Sequence, residues 1–150
     1  MVCLGNICRS PLAEGIMQDK IDQYALGWTT DSAGTGGWHS GELPDPRSIA
    51  TARQHGIDIL HQRARQITRR DLDEFDHILV MDASNYQNVL QLAQNDQQRQ
   101  KVELIRNFAQ PGQNLQVPDP YYGGNDGFER VFDMLDEACE AFIRQYRNAE

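Results

Sequence analysis

The chain has 150 residues, of which 39% are apolar and 24% charged, and a formal net charge of -8. That balance suits one folded domain and not a disordered chain, and the acidic surplus argues against nucleic acid, which needs clustered Lys and Arg. No apolar stretch approaches the ~20 residues that span a bilayer, no basic-then-apolar leader opens the chain, and three cysteines cannot all pair, so we expect a reduced, cytoplasmic protein with no membrane association.

In chain order, the first helix begins at Ser10-Pro11, where Pro suits an early helical position. Leu12, Ala13, Ile16, Met17, Ile21 and Tyr24 then recur at helical spacing. Trp28 to Ser32 is a strand candidate. Asp45-Pro46 opens a second helix, which Gly56 stops. Thr68-Arg69-Arg70-Asp71 has the form of a capping box with Asp in place of Glu. His77 to Met81 is an apolar run, as in a strand buried on both faces. A helix is expected over Ser84 to Asn95. The Gln/Asn-rich stretch from Gln91 to Gln100 reads as a solvated helix end and loop, and Lys101 to Ile105 as the next strand. The last helix, about Gly127 to Arg147, carries one apolar stripe through Phe128, Val131, Phe132, Leu135, Cys139, Phe142, Ile143 and Tyr146. Strands alternating with helices imply a single α/β domain over residues 1–150, with a four-stranded parallel sheet and helices on both faces. Ligands in such folds bind beyond the carboxyl ends of the strands. The turn after the first strand, near Cys3, is therefore the expected functional edge.

That turn reads Cys3-Leu4-Gly5-Asn6-Ile7-Cys8-Arg9-Ser10-Pro11, a Cys-x5-Arg loop running from a strand into a helix. A loop of this length can wrap a tetrahedral oxyanion with its backbone N–H groups, and the following helix adds its own free N–H groups and the positive end of its dipole. Arg9 can grip two phosphate oxygens with its planar fork. Cys3 sits at the base of the loop, aimed at phosphorus, where the same positive field favours the thiolate. Gly5 and Asn6 are residue types that tolerate positive φ. The Ser10 hydroxyl can donate to the Cys3 sulfur.

The whole run CLGNICRSP resembles the phosphate loop of the low-molecular-weight protein tyrosine phosphatases, and the resemblance covers nearly the whole chain. It includes Asp31-Ser32-Ala33-Gly34-Thr35, Ala64-Arg65-Gln66-Ile67, Met81-Asp82, Ser84-Asn85 and Asp119-Pro120-Tyr121-Tyr122-Gly123. It implies hydrolysis of aryl phosphate monoesters through a phosphocysteine on Cys3, with no metal and no cofactor. Arg9 and the amides of Leu4, Gly5, Asn6, Ile7, Cys8 and Ser10 would bind phosphate. Asp119, in isolation a simple turn aspartate, becomes the general acid and base by this resemblance. Tyr121 and Tyr122 become rim aromatics, with Trp38 and His39 on the opposite wall. The implied substrate is a phosphotyrosine protein, with a cognate tyrosine kinase as its counterpart. Asn6 and Ser32 correspond to the family's support for the loop.

Two departures stand out. Many relatives carry a histidine that bonds the loop asparagine where this chain has Gln62, and His61 beside it reads as a surface residue. Only Met1 and Val2 precede Cys3, whereas strands run ~5–6 residues. We therefore expect a shortened first strand and a sequence that lacks a few amino-terminal residues of the native chain. Three other readings compete. A thioredoxin-coupled arsenate reductase needs more relay cysteines than Cys139 supplies. A phosphoarginine phosphatase typically has Thr where Ile7 stands. A non-catalytic phosphotyrosine binder would not need Cys3, Arg9 and Asp119 together. Cys3 and Cys8 lack the spacing and companion ligands of a zinc site.

Overall fold

The computed structural model describes residues 1–123 and 125–148. Four short strands, β1 (Val2–Cys3), β2 (Ala33–Gly34), β3 (Ile78–Val80) and β4 (Val102–Leu104), form one sheet in the order β2-β1-β3-β4. Every pairing in it is parallel, with Val2 opposite both Ala33 and Val80, and Ile78 opposite Val102. The helices are α1 (Arg9–Gln23), α2 (Pro46–Gln54), α3 (Arg69–Glu74), α4 (Ala83–Leu90), α5 (Asp96–Gln100) and α6 (Asn125–Tyr146). Among the described residues no helix is long and apolar enough to cross a membrane.

Successive strand residues face opposite sides of a sheet, and the two cores follow that rule. Cys3 and Leu79 join Leu12, Ile16, Ala52, Leu135 and Ile143 on the face covered by α1, α2 and α6. Val2, Ile78 and Val80 join Leu72, Val89 and Leu104 on the face covered by α3 and α4. The stripe on α6 is buried as its spacing requires, each of Phe128, Val131, Leu135, Cys139 and Ile143 being at most 1% exposed. A large apolar side chain buried this fully stabilises the fold by about 1.5–3 kcal/mol. Burial also pushes the Cys139 thiol up to about 12, so it stays a protonated core residue at neutral pH.

Several elements lie elsewhere than the sequence suggests. Trp28 to Ser32 is not a strand. Its pairing neighbour is β1, which begins only at Val2, so β2 forms later, at Ala33–Gly34. Helix α1 opens at Arg9, which makes Pro11 its third residue. Helix α4 stops at Leu90, and a separate short helix occupies Asp96–Gln100, where a loop was expected. Asn95 caps that helix by accepting from the Gln98 N–H at 2.8 Å. The capping box before α3 is present, with the Asp71 carboxylate accepting from the Thr68 N–H at 2.8 Å. With β1 between β2 and β3, the strand order reverses at β1, and the loop leaving it opens at the crevice where such sheets bind ligands.

Candidate active site

The loop from Leu4 to Cys8 is held by its carbonyl groups. The Cys3 and Leu4 carbonyls accept from the Thr35 and Gly36 N–H groups, each at 2.9 Å, and the Ile7 carbonyl accepts from the Asp45 N–H at 2.8 Å. The Cys8 carbonyl accepts from the Ser48 hydroxyl at 3.1 Å. In a trans peptide the carbonyl and the next N–H point opposite ways. Pinning these four carbonyls outward therefore turns the N–H groups of Leu4, Gly5, Cys8 and Arg9 toward the concave side. Helix α1 opens there with no side-chain cap and no acidic residue in its first turn, so its positive end serves the same hollow. Asn6 adopts φ 57° and lets the loop double back. Gly5, expected to share that role, does not adopt positive φ. It is small for a different reason, because a Cβ there would lie 3.0 Å from Cδ2 of His39.

Behind the loop, a directed set of hydrogen bonds ends on the nucleophile candidate. The Cys3 Sγ lies 3.1 Å from the Ser10 Oγ. The Asn6 amide donates one hydrogen to Ser10 Oγ at 2.7 Å and the other to Ser32 Oγ at 3.0 Å. Ser10 thus accepts from Asn6 and has its own proton free for the Cys3 sulfur, the nearby Ala33 carbonyl being farther at 3.5 Å. The Ser32 hydroxyl donates to Glu14 Oε1 at 2.6 Å. Burial pushes the Glu14 carboxyl above its ordinary value, and the Ser32 hydrogen bond partly opposes this. The Asn6 side-chain Oδ1 accepts from the Arg65 backbone N–H at 3.0 Å. Asn6 and Ser10, placed among the phosphate contacts by the sequence, therefore direct their side chains into this support. Gln62 does not bond Asn6. Its amide donates to the Pro11 carbonyl at 3.1 Å, and the backbone of Arg65 supports the asparagine instead. His61 is exposed.

Arg9 is 2% exposed although it carries a charge. Its Nη1 donates to Asp82 Oδ2 at 2.6 Å and to the Val117 carbonyl at 3.0 Å, and its Nη2 lies 3.7 Å from Asp119 Oδ2. Asp82 was not among the sequence candidates. Its other oxygen accepts from the Asn85 N–H at 2.8 Å, which caps α4. The available signal was an acidic residue two positions beyond a buried strand, at the sheet's carboxyl end. Asp119 is fixed through Oδ1, which accepts from the Tyr121 N–H at 3.0 Å.

One cavity of about 200 Å³ gathers Cys3, Leu4, Gly5, Ile7, Cys8, Arg9, Trp38, His39, Asp119, Tyr121 and Tyr122. Its mouth is aromatic. Trp38 is 72% and Tyr122 94% exposed, and the Tyr121 and Tyr122 rings meet edge to face at 5.0 Å. The Trp38 ring lies over Gly36, where a Cβ would come within 1.9 Å of it. His39 Nδ1 pairs with Glu42 at 2.7 Å. Burial, reinforced by Asp45, Asp119 and Cys3, pushes the Cys8 thiol up to about 12, so Cys8 stays protonated at neutral pH.

The family model for low molecular weight phosphotyrosine protein phosphatase matches residues 1–149. The chain belongs to this family. A low molecular weight protein-tyrosine-phosphatase of Streptomyces coelicolor is 41% identical over 150 residues, covering 97% of this chain and 91% of the relative. The crystal structure of a protein tyrosine phosphatase from Entamoeba histolytica, with Hepes in its active site, has a TM-score of 0.91 and 38% identity, covering 99% of this chain and 95% of that one. A Drosophila arginine phosphatase has a TM-score of 0.90 and 30% identity, covering 99% and 97%. Membership in the family makes the chain a hydrolase of the protein phosphatase class.

Proposed function

We propose that the chain hydrolyses phosphotyrosine in proteins through a phosphocysteine on Cys3. The observation that carries this reading is the convergence of inward-turned loop N–H groups, the buried Arg9 fork and the Cys3 sulfur on one small cavity with an aromatic mouth. The loop amides and Arg9 bind the three non-bridging oxygens and favour the charge that develops on them. The Cys3 thiolate attacks phosphorus, the bond from phosphorus to the tyrosyl oxygen breaks, and Asp119 gives its proton to that oxygen. Asp119, now a carboxylate, takes a proton from water as the water oxygen attacks phosphorus. The P–S bond breaks, inorganic phosphate leaves and the thiolate returns. Asn6, Ser10 and Ser32 hold the sulfur in place, and Ser10 hydrogen-bonds the thiolate between turnovers.

Trp38, Tyr121 and Tyr122 favour a flat aryl group by stacking. A phosphoarginine substrate is the second reading, supported by the likeness to the Drosophila arginine phosphatase. Ile7 lines the cavity where the resemblance puts Thr in that branch, and this favours the aryl substrate. All three cysteines are free thiols, in keeping with a reducing, cytoplasmic setting. The test compares kcat/KM for phosphotyrosine, phosphoserine and phosphoarginine peptides, with acid-quenched peptide mapping during turnover. Phosphotyrosine should be best, and phosphate should be found on the Cys3 peptide. A preference for phosphoarginine would move the substrate assignment, and a phosphate-free Cys3 under burst conditions would remove the covalent step.

A further inference from the structure

The loop that carries Asp119 is stiffened by Pro118 and Pro120 and touches Arg9 through the Val117 carbonyl at 3.0 Å, and a second tie to the phosphate loop comes from α2. One side chain bridges the two. Arg47, in the first turn of α2, is held by the Asp45 carboxylate along one edge of its fork, Nε to Oδ1 and Nη2 to Oδ2, each at 3.0 Å. The Asp45 backbone N–H in turn holds the Ile7 carbonyl at 2.8 Å. On its other side, Arg47 Nη1 donates to the Tyr121 carbonyl at 2.9 Å. Its guanidinium carbon lies 5.3 Å from the Tyr121 ring centroid and 4.6 Å from that of Phe128 on α6. Tyr121 then fixes Asp119 through its own N–H. The path from phosphate loop to acid runs Ile7, Asp45, Arg47, Tyr121, Asp119, with a hydrogen bond at each step.

We propose that Arg47 is a positioning residue that sets where the Asp119 carboxyl stands relative to the bound phosphate ester. A planar fork already locked on one side presents its remaining N–H in a fixed direction, which a lysine ammonium on a free stem does not. The Phe128 ring, buried at 1% exposure, backs the guanidinium as well. Loss of this strap leaves the anion site intact and lets the acid drift. The cost should therefore fall on protonation of the leaving group and not on phosphate binding. The inference rests on Asp119 being the general acid.

The experiment measures kcat/KM for aryl phosphates whose phenols span a range of acidity, and inhibition by inorganic phosphate as the binding control. Arg47→Met keeps a long stem against Phe128, and Arg47→Lys keeps the charge. A misplaced acid costs up to ~10²-fold, so both variants should lose about 10-fold or more on phosphotyrosine and much less on p-nitrophenyl phosphate, with phosphate inhibition nearly unchanged. Asp45→Asn, which breaks the fork from its other side, should shift the dependence the same way and keeps the test alive if Arg47→Met folds poorly. Adding Arg47→Met to Asp119→Asn should steepen nothing further, because the acid that Arg47 positions is already gone. An equal loss across all leaving groups, or full rescue by Arg47→Lys, overturns the positioning role. If Asp119→Asn alone leaves the leaving-group dependence flat, the acid assignment itself fails and the strap has nothing to position.

Discussion

The two ends of the sheet carry hollows of opposite character. At the amino end a cavity of about 540 Å³ is lined by Met1, Met17, Ile21, Trp28, His77, Phe142 and Tyr146 among others. Phe142 sits in an aromatic cluster there, with Phe108 and His77 at 5.0 Å and Tyr146 at 4.7 Å. At the carboxyl end the cavity is less than half that size, about 200 Å³, yet it holds the sulfur, the buried guanidinium and the inward N–H groups. Volume marks where side chains fail to fill space. Chemistry marks where polar groups converge with their partners already arranged. At the amino end Asp31 pairs with Arg65 at 3.1 Å, and burial lowers the His77 imidazole below its ordinary value, which keeps it neutral.

The largest expected effects separate the ends most sharply. Cys3→Ser should cut kcat by at least ~10⁴-fold, because the oxygen nucleophile lacks an ionised form at neutral pH. Its melting temperature should barely move, since a small buried side chain is replaced by another. Phe142→Ala should do the reverse. Opening a hole under the aromatic cluster costs about 3–5 kcal/mol and lowers Tm on the order of 10 °C, while kcat of the folded fraction stays within about a factor of two. Calorimetry and steady-state kinetics on the two variants check this. A large loss of kcat in folded Phe142→Ala would show that the ends are coupled and that the comparison is too simple.

A smaller effect is expected within the site. Asp82→Asn keeps a side-chain acceptor for the α4 cap, and Asn is a good capping residue. It removes the charge that faces Arg9 at 2.6 Å. The guanidinium then loses its strongest orienting contact while the anion site gains net positive charge. We expect kcat to fall about 10-fold and inorganic phosphate to inhibit as well as before or better. Parallel losses of turnover and phosphate affinity would instead mean that Asp82 only holds the loop together.

Legibility followed how locally each feature is specified. Helix α6 could be read because its apolar stripe repeats at one period over the whole element, and β3 because an unbroken apolar run needs burial on both faces. Cys3, Arg9 and the helix start share nine residues, so their spacing carries their chemistry. The strand β2 was misplaced because its extent depends on how much of β1 stands beside it, a property of another segment. Helix α5 was hidden by a Gln-rich composition, although Asn95 with Gln98 three residues later is a capping pattern. Least legible were the groups that pin the loop. Thr35, Gly36 and Asp45 act through backbone N–H groups, which no side chain announces, and Asp82 and Arg47 are brought to the site only by the crossovers.

Arg65 belongs to both ends and gives the finest test of their separation. Its backbone N–H holds Asn6 behind the phosphate loop, while its fork grips Asp71 at 2.9 and 3.0 Å. Burial alone would raise the Asp71 carboxyl, but the Arg65 fork and the Thr68 N–H outweigh it and hold the group below the ordinary aspartate range. A carboxyl depressed in the folded state binds its proton more readily when unfolded. Its stabilisation is therefore fully present above the unfolded value of ~3.9 and is lost as pH falls from there through the folded value. The pair is bidentate but partly exposed on the Arg65 side, so we expect about 1 kcal/mol, or about 2–4 °C in Tm, between the parent and Asp71→Asn near pH 6. That gap should hold down to about pH 4 and close below it. Turnover near pH 6 should change by less than about 3-fold, because the backbone N–H of Arg65 stays in place under its own strand-like contacts. A gap that persists unchanged at pH 3 would mean that the charge of Asp71 is not its source. A collapse of turnover would mean that the Arg65 side chain, and not only its backbone, sets the position of Asn6.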